Sequence, residues 1–219
     1  MRIETERLLL RNYRMTDLQA YIKLMTQEKV ANHAGFFIKS TDRLLYNLKD
    51  ECDNDLKFAI VLKDSDKVIG EIGLTGLSTK YKKLYEIGKE EASREVEFCL
   101  SEEYWGKGYM TEALKALVKV GFEELLLDSI VAARFSKNEA SKKVQIKCGL
   151  IPFKTDKNYV WMETGESCKV VFSKMTKKQY KHIDAYKKLS IKVTEDSSRK
   201  NKLEQIKNMI DSSADVREL

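Results

Sequence analysis

Apolar positions over the first hundred residues fall into short blocks whose period changes from block to block, and each period predicts an element. Residues 7–11 (RLLLR) read as a short buried strand. Thr16 and Asp17 can cap a helix in which Leu18, Tyr21, Ile22 and Met25 share one face. A second helix is expected from Thr41 and Asp42, with Leu44, Leu45 and Leu48 turned inward. Residues 58–62 (FAIVL) and 68–74 (VIGEIGL) are strands split by KDSDK, a polar turn of hairpin length, so they pair antiparallel.

Residues 76–94 are highly charged but keep Tyr81, Leu84, Tyr85 and Ile87, which marks an ordered or partly ordered excursion. A strand at 95–100, a glycine-interrupted turn, a helix at 111–125 and a strand at 129–135 follow. Asn138 is placed to cap a short helix that Gly149 stops. Residues 158–163 and 168–175 form a closing strand pair around the turn Thr164-Gly165-Glu166-Ser167. This order predicts an α/β fold: a mixed sheet with helices on both faces. Beyond Met175 the pattern changes. Tyr180, Ile183, Tyr186 and Leu189 recur every three residues, Leu203, Ile206, Met209 and Ile210 make a second stripe, and residues 194–198 lie between as a loop. Two accessory helices are expected there, the first docked.

Charge separates the same two regions. Of 40 Lys and Arg and 34 Asp and Glu, 13 and 7 lie after residue 168, so the first 168 residues are balanced and the tail is basic. The tail could contact RNA or a ribosome, but it lacks interleaved aromatic and glycine motifs, which favours a solvated helix surface. Cys52, Cys99, Cys148 and Cys168 are scattered, with no C-x-x-C pair and no histidine at ligand spacing, so reduced thiols in a cytoplasmic protein and no metal are expected. The opening MRIETERLLLR is charged from its second residue, and no apolar run approaches the roughly 18 residues of a membrane span. Only His33 and His182 are present, which argues against histidine-led catalysis.

The chemistry concentrates at Trp105-Gly106-Lys107-Gly108-Tyr109-Met110-Thr111-Glu112-Ala113. A glycine turn opening a helix leaves successive N–H groups unpaired at the positive end of the helix dipole, a ready site for a pyrophosphate. With the ETERLLLR opening followed by Asp17, the VIGEIGL strand, Asn138-Glu139-Ala140-Ser141 and Lys147-Cys148-Gly149-Leu150, this turn resembles the GNAT superfamily of acetyl-CoA-dependent N-acetyltransferases. Most similar is the branch of the ribosomal-protein alanine and serine acetyltransferases. The resemblance spans roughly residues 3 to 175. It implies an acetyltransferase domain over 1–175 with a basic helical extension over 176–219, and a mostly antiparallel sheet splayed at its fourth and fifth strands. Trp105 and Met110 depart from the usual loop at positions that act through the backbone. Leu150 replaces a usual Phe, and Gln145 stands where many members place a tyrosine that protonates the departing thiolate.

Carried over residue by residue, the resemblance implies that Cys99 and Leu100 hold the pantetheine by backbone hydrogen bonds. Gly106, Lys107, Gly108, Tyr109, Met110 and Thr111, with Trp105 before them, form the pyrophosphate cradle, and Asn138 and Ser141 give polar contacts. Ser141 is the candidate acid or orienter. Glu95, Glu97 and Cys99 alternate with Val96, Phe98 and Leu100, so both carboxylates share a strand face and either could accept the amine proton. As exposed strand-face charges they would do nothing of the kind, and Cys99, without a basic activator, reads as a small buried side chain rather than an acyl carrier. The implied reaction is acetyl transfer to a primary amine, such as a protein N-terminal α-amine. The alternatives are a polyamine or aminoglycoside acceptor, or a catalytically weak CoA-binding regulatory module. A monomer or homodimer is expected.

Overall fold

The computed structural model describes residues 1–160, 165 and 167–195. Its centre is a nine-stranded sheet formed by β1 (Arg2–Glu4), β2 (Leu8–Arg11), β3 (Lys57–Leu62), β4 (Val68–Gly76), β5 (Ser93–Leu100), β6 (Ser129–Phe135), β7 (Ile151–Val160), β8 (Ser167–Thr176) and β9 (Lys192–Thr194). The strand order is β7-β8-β6-β5-β4-β3-β2-β1-β9, and every pairing is antiparallel except β5 with β6.

β3 is buried at every position because both faces of the sheet are covered. Phe58 and Ile60 pack with Leu114 and Leu117 of α5 (Tyr109–Glu123). Ala59 and Val61 face the other way, against Tyr21 and Leu24 of α1 (Leu18–Met25) and Leu44 and Leu48 of α3 (Thr41–Cys52). Between these two helices lies α2 (Glu28–Ala34), a short element whose pattern predicted nothing. Helix α3 begins where expected, but Ser40 is its cap, its side chain accepting from the Arg43 N–H. Asp17 stands at the N-cap of α1 without a side-chain cap hydrogen bond, because its carboxylate takes a two-pronged ion pair from Arg11 at 2.7 and 2.8 Å, both side chains buried.

The functionally decisive irregularity is between β5 and β6. They pair only over Ser93–Glu95 and Ser129–Val131, and then part, while β8 stays paired with β6 along its whole length on the other side. This is the splay expected at the fourth and fifth strands, which become β5 and β6 because the short β1 precedes the strand formed by RLLLR. The excursion before β5 is ordered: α4 (Thr79–Leu84) leads to Tyr85, fully buried in a small third core with Ile87, Val131, Val170 and Phe172.

Helix α5 begins two residues earlier than its apolar pattern indicates, and α6 (Glu139–Lys147) runs from the Asn138 cap to a Gly149 at φ +81°. A side chain at Gly149 would meet Met175 and Ile183 within 2.7 Å, so this stop is fixed by packing as well as by φ. The closing strands are longer than 158–163 and 168–175; the turn between them falls largely outside the described residues, as does the stripe from Leu203 to Ile210. α7 (Lys177–Lys181) and α8 (Asp184–Lys187) are the described helices of the extension, and they are not peripheral. Tyr180 stacks on Phe122, the Tyr186 hydroxyl donates to the Cys148 carbonyl at 2.8 Å, and β9 then adds itself to β1 at the sheet edge.

Candidate active site

The wedge between β5 and β6 is the floor of an open cleft of about 870 Å³. At one end lie the glycine turn, the start of α5 and the start of α6; at the other lie α1, α3 and the Lys57–Glu71 ion pair. The strand register decides which backbone groups enter it. Because the Ser101 N–H donates to Ile69, hydrogen-bonded pairs on this ladder are the odd residues of β5, and Cys99 is committed to Glu71. Leu100 and Phe98 turn their N–H and C=O toward the gap instead. The Leu100 carbonyl is taken by the Trp105 indole N–H at 2.6 Å, so of the two residues expected to hold the pantetheine only Leu100 remains, through its N–H. Cys99 is a buried thiol in the α1/α3 core, and burial pushes its pKa well up.

At the turn, Gly106 and Gly108 adopt φ +77° and +81°, left-handed conformations that favour glycine. No atom lies within 4 Å of where a Gly106 Cβ would stand, so space for a ligand exists against the bare backbone. A fifteen-residue helix follows directly, its first N–H groups lacking intrahelical acceptors. This cradle fits the pyrophosphate of CoA. The Met110 side chain is in the core, Thr111 lines the cleft, and Lys107 is exposed with its ammonium over the Tyr104 ring. The turn is pinned by a clamp that sequence reading overlooked. Glu112 accepts from the Thr5 hydroxyl, the Arg7 N–H and the Arg7 side chain, and that guanidinium reaches the Lys107 carbonyl and covers the Tyr109 ring. Burial would raise the Glu112 pKa, but these hydrogen bonds hold it below the ordinary value.

Asn138 is occupied twice, accepting from the Ser141 N–H at 2.9 Å and donating to the His33 carbonyl at 3.0 Å. It fixes α6 against α2. Gln145, 1% exposed, donates to Ser141 Oγ at 3.1 Å. That bond fills a lone pair of the hydroxyl and leaves its proton to be given elsewhere. The i, i+4 spacing of Ser141 and Gln145 on a helix was the signal available in the sequence.

Glu95 and Glu97 line the same cleft, as the alternation predicted, but their surroundings differ. Glu97 is exposed and accepts from the Thr75 hydroxyl at 3.1 Å. Glu95 accepts a hydrogen bond from Tyr85. Burial lifts its pKa, Tyr85 opposes that and Glu97 adds to it, leaving it at about 7. Deeper in, Glu71 holds Lys57 at 2.8 Å and accepts from Tyr13. Burial alone would discharge Lys57, yet Glu71, Glu51 and Glu97 more than offset it and raise its pKa. Lys57 is thus outnumbered by the carboxylates around it, which makes this part of the cleft attractive to a cation.

The model of the GNAT acetyltransferase domain matches residues 7–151, from the strand formed by RLLLR to the residue after Leu150. This chain belongs to the GNAT acetyltransferases. It is an acetyl-CoA-dependent N-acetyltransferase. It is 32% identical over 154 residues to the uncharacterised N-acetyltransferase YnaD of Bacillus subtilis, covering 68% of this chain and 82% of YnaD. A GNAT-family acetyltransferase from Bacillus anthracis shares the fold with a TM-score of 0.71 at 20% identity, over 81% of this chain and 99% of its own. A ribosomal-protein-S5-alanine acetyltransferase from Vibrio fischeri does so with a TM-score of 0.60 at 21% identity, over 81% and 97%. In this acetyltransferase the matched segment carries every site residue named above except Thr5, while α7, α8 and β9 lie beyond it. No described helix is long and apolar enough to cross a membrane, and none of the four cysteines is in a disulfide.

Proposed function

We propose that this acetyltransferase acetylates an α-amine, such as a protein N-terminus, by direct attack in a ternary complex, with Glu95 collecting the amine proton. The observation that carries the reading is the Glu95 carboxylate, which is set in the wall of the cleft that contains the glycine turn and titrates near neutrality. A base of that pKa is half ionised at pH 7 and matched to proton transfer there. An α-amine of pKa about 8 is roughly a tenth neutral at pH 7, against about 1 part in 2,500 for a lysine near 10.4, so a single carboxylate suffices for the first.

The cosubstrate supplies the activated acetyl thioester. The chain's residues bind and move protons around it. N–H groups of 106–111 receive the phosphates, and the Leu100 N–H faces the pantetheine arm. Glu95 takes a proton from the amine nitrogen, directly or through water. Ser141 Oγ, oriented by Gln145 and Asn138, offers its proton at the α6 side of the cleft. The acidic end draws in the ammonium form of the acceptor before it is deprotonated.

One observation favours a second reading. Gln145 Oε1 is buried with no hydrogen-bond partner at the position where many relatives use a tyrosine as acid, which suits a weakly catalytic CoA-binding module. Incubating the protein with acetyl-CoA and a peptide panel bearing either a free N-terminus or an internal lysine, with mass spectrometry of products, separates these readings. N-terminal acetylation with thiol release is the expected result. Affinity without thiol release would establish the binding module, and lysine or polyamine products would replace the acceptor.

A further inference from the structure

A second hollow, of about 770 Å³, opens on the other side of the glycine turn. It shares Gly108, Thr111 and Lys147 with the cleft, so a ligand seated at the turn can run from one into the other. Five lysines line it: Lys63, Lys115, Lys147, Lys188 and Lys192. Three carboxylates also do, but Glu112 is held by Arg7 and Thr5 and Glu4 pairs with Arg2, which leaves Glu6. Lys63 donates to the Thr5 carbonyl, while among the described residues no carboxylate pairs with the other four. Four ammonium groups around one hollow repel one another, and a multiply charged anion is the group that would relieve them.

We propose that the C-terminal extension completes a subsite in this hollow for the 3′-phosphorylated adenosine end of CoA, so that the cosubstrate's terminal phosphate is recognised by residues outside the family-matched segment. The inference rests on the acetyl-CoA reading and adds what this chain's tail does for it. Lys188 and Lys192 are not on a loose end. Tyr186 is anchored on Cys148, Leu189 and Ile191 pack against the main core, and Lys192 is the first residue of the edge strand paired with β1. Lys115 and Lys147 come from α5 and α6, the two helices that frame the pyrophosphate cradle. Covalent proximity in CoA places the phosphorylated ribose next to the pyrophosphate, which is where the hollow adjoins the turn.

The test is calorimetric titration of the full chain with CoA and with dephospho-CoA, which lacks only the 3′-phosphate. CoA should bind about tenfold more tightly, which is about 1.4 kcal/mol, the size of a charge-assisted contact partly screened by solvent. In the variant carrying Lys188→Gln and Lys192→Gln, CoA should weaken to near the dephospho-CoA affinity while dephospho-CoA is unchanged. The variant with Lys188→Arg should keep the discrimination, and raising salt should narrow it in the wild type. Equal affinities for the two ligands in the wild type, or an unaltered ratio in the double Gln variant with an unchanged melting temperature, would overturn the subsite. Failure of both ligands to bind the wild type would instead remove the acetyl-CoA reading on which it stands. Loss of salt-sensitive RNA affinity in the double variant, with the ligand ratio untouched, would assign the lysines to nucleic acid and likewise overturn the proposal.

Discussion

Glu95 concentrates the residue-scale chemistry, because burial and two neighbours set its charge by separable means. The Tyr85 hydroxyl reaches it from the β4–β5 excursion, and Glu97 lies two residues along its own strand. A base works in its ionised form, so turnover at saturating acceptor should fall as pH drops through about 7. Tyr85→Phe removes a bond that favours the carboxylate, so the acid limb should move to higher pH. Glu97→Gln removes a like charge, so it should move to lower pH. A pH profile of kcat for the two variants checks both directions, and shifts of the same sign would deny Glu95 the role. Glu95→Gln itself should lower kcat about 100-fold or more with CoA affinity kept. Ser141→Ala should slow single-turnover acetylation by a similar factor if its hydroxyl is the proton donor; a wild-type rate would leave that step to solvent.

At the scale of elements, the site is a junction: a strand that loses its neighbour, a turn with two left-handed glycines, and two helix starts. The turn's shape is held from outside by the Arg7–Glu112 clamp, so residues at the first two strands govern a feature a hundred positions later. Gly106→Val should abolish the stabilisation by CoA, roughly 2.7 kcal/mol at about 100 times the dissociation constant. The open space around Gly106 means that the substituted turn clashes with a ligand rather than with the protein, although the positive φ costs about 1–3 kcal/mol of strain. The measurement is therefore the difference in melting temperature with and without CoA, and a retained difference would place the pyrophosphate elsewhere.

For the whole molecule, the extension is structural as far as Thr194. Tyr186 is 2% exposed and hydrogen-bonded to the end of α6. Tyr186→Ala should cost about 3 kcal/mol, the range of large aromatic truncations, and lower the melting temperature by about 6–12 °C in a chain of this size. Ending the chain near Ser190, a cut the family resemblance would allow, also strips β9 from β1 and Lys192 from the hollow. Such a truncation should destabilise the fold and weaken CoA together, and intact CoA binding would return the extension to the accessory role its sequence suggested.

Local pattern alone determined the strands at 58–62 and 68–74, the shared face of Glu95 and Glu97, the Asn138 cap and the glycine turn, because each depends on periodicity or on the backbone freedom of single residues. What tertiary structure decided is of a different kind. Whether Glu95 is a solvated charge or a base near neutrality depends on a tyrosine ten positions away, brought back by an excursion whose charged sequence gave no period. Whether Cys99 or Leu100 faces the cosubstrate depends on which residues of the β4–β5 ladder exchange hydrogen bonds, a one-residue matter invisible in composition. The tail's repeat of apolar residues predicted docking, but neither the pairing of β9 with β1 nor the lysines it carries to the glycine turn could be read from it. Those contacts join positions nearly two hundred residues apart, and only the assembled sheet brings them within reach.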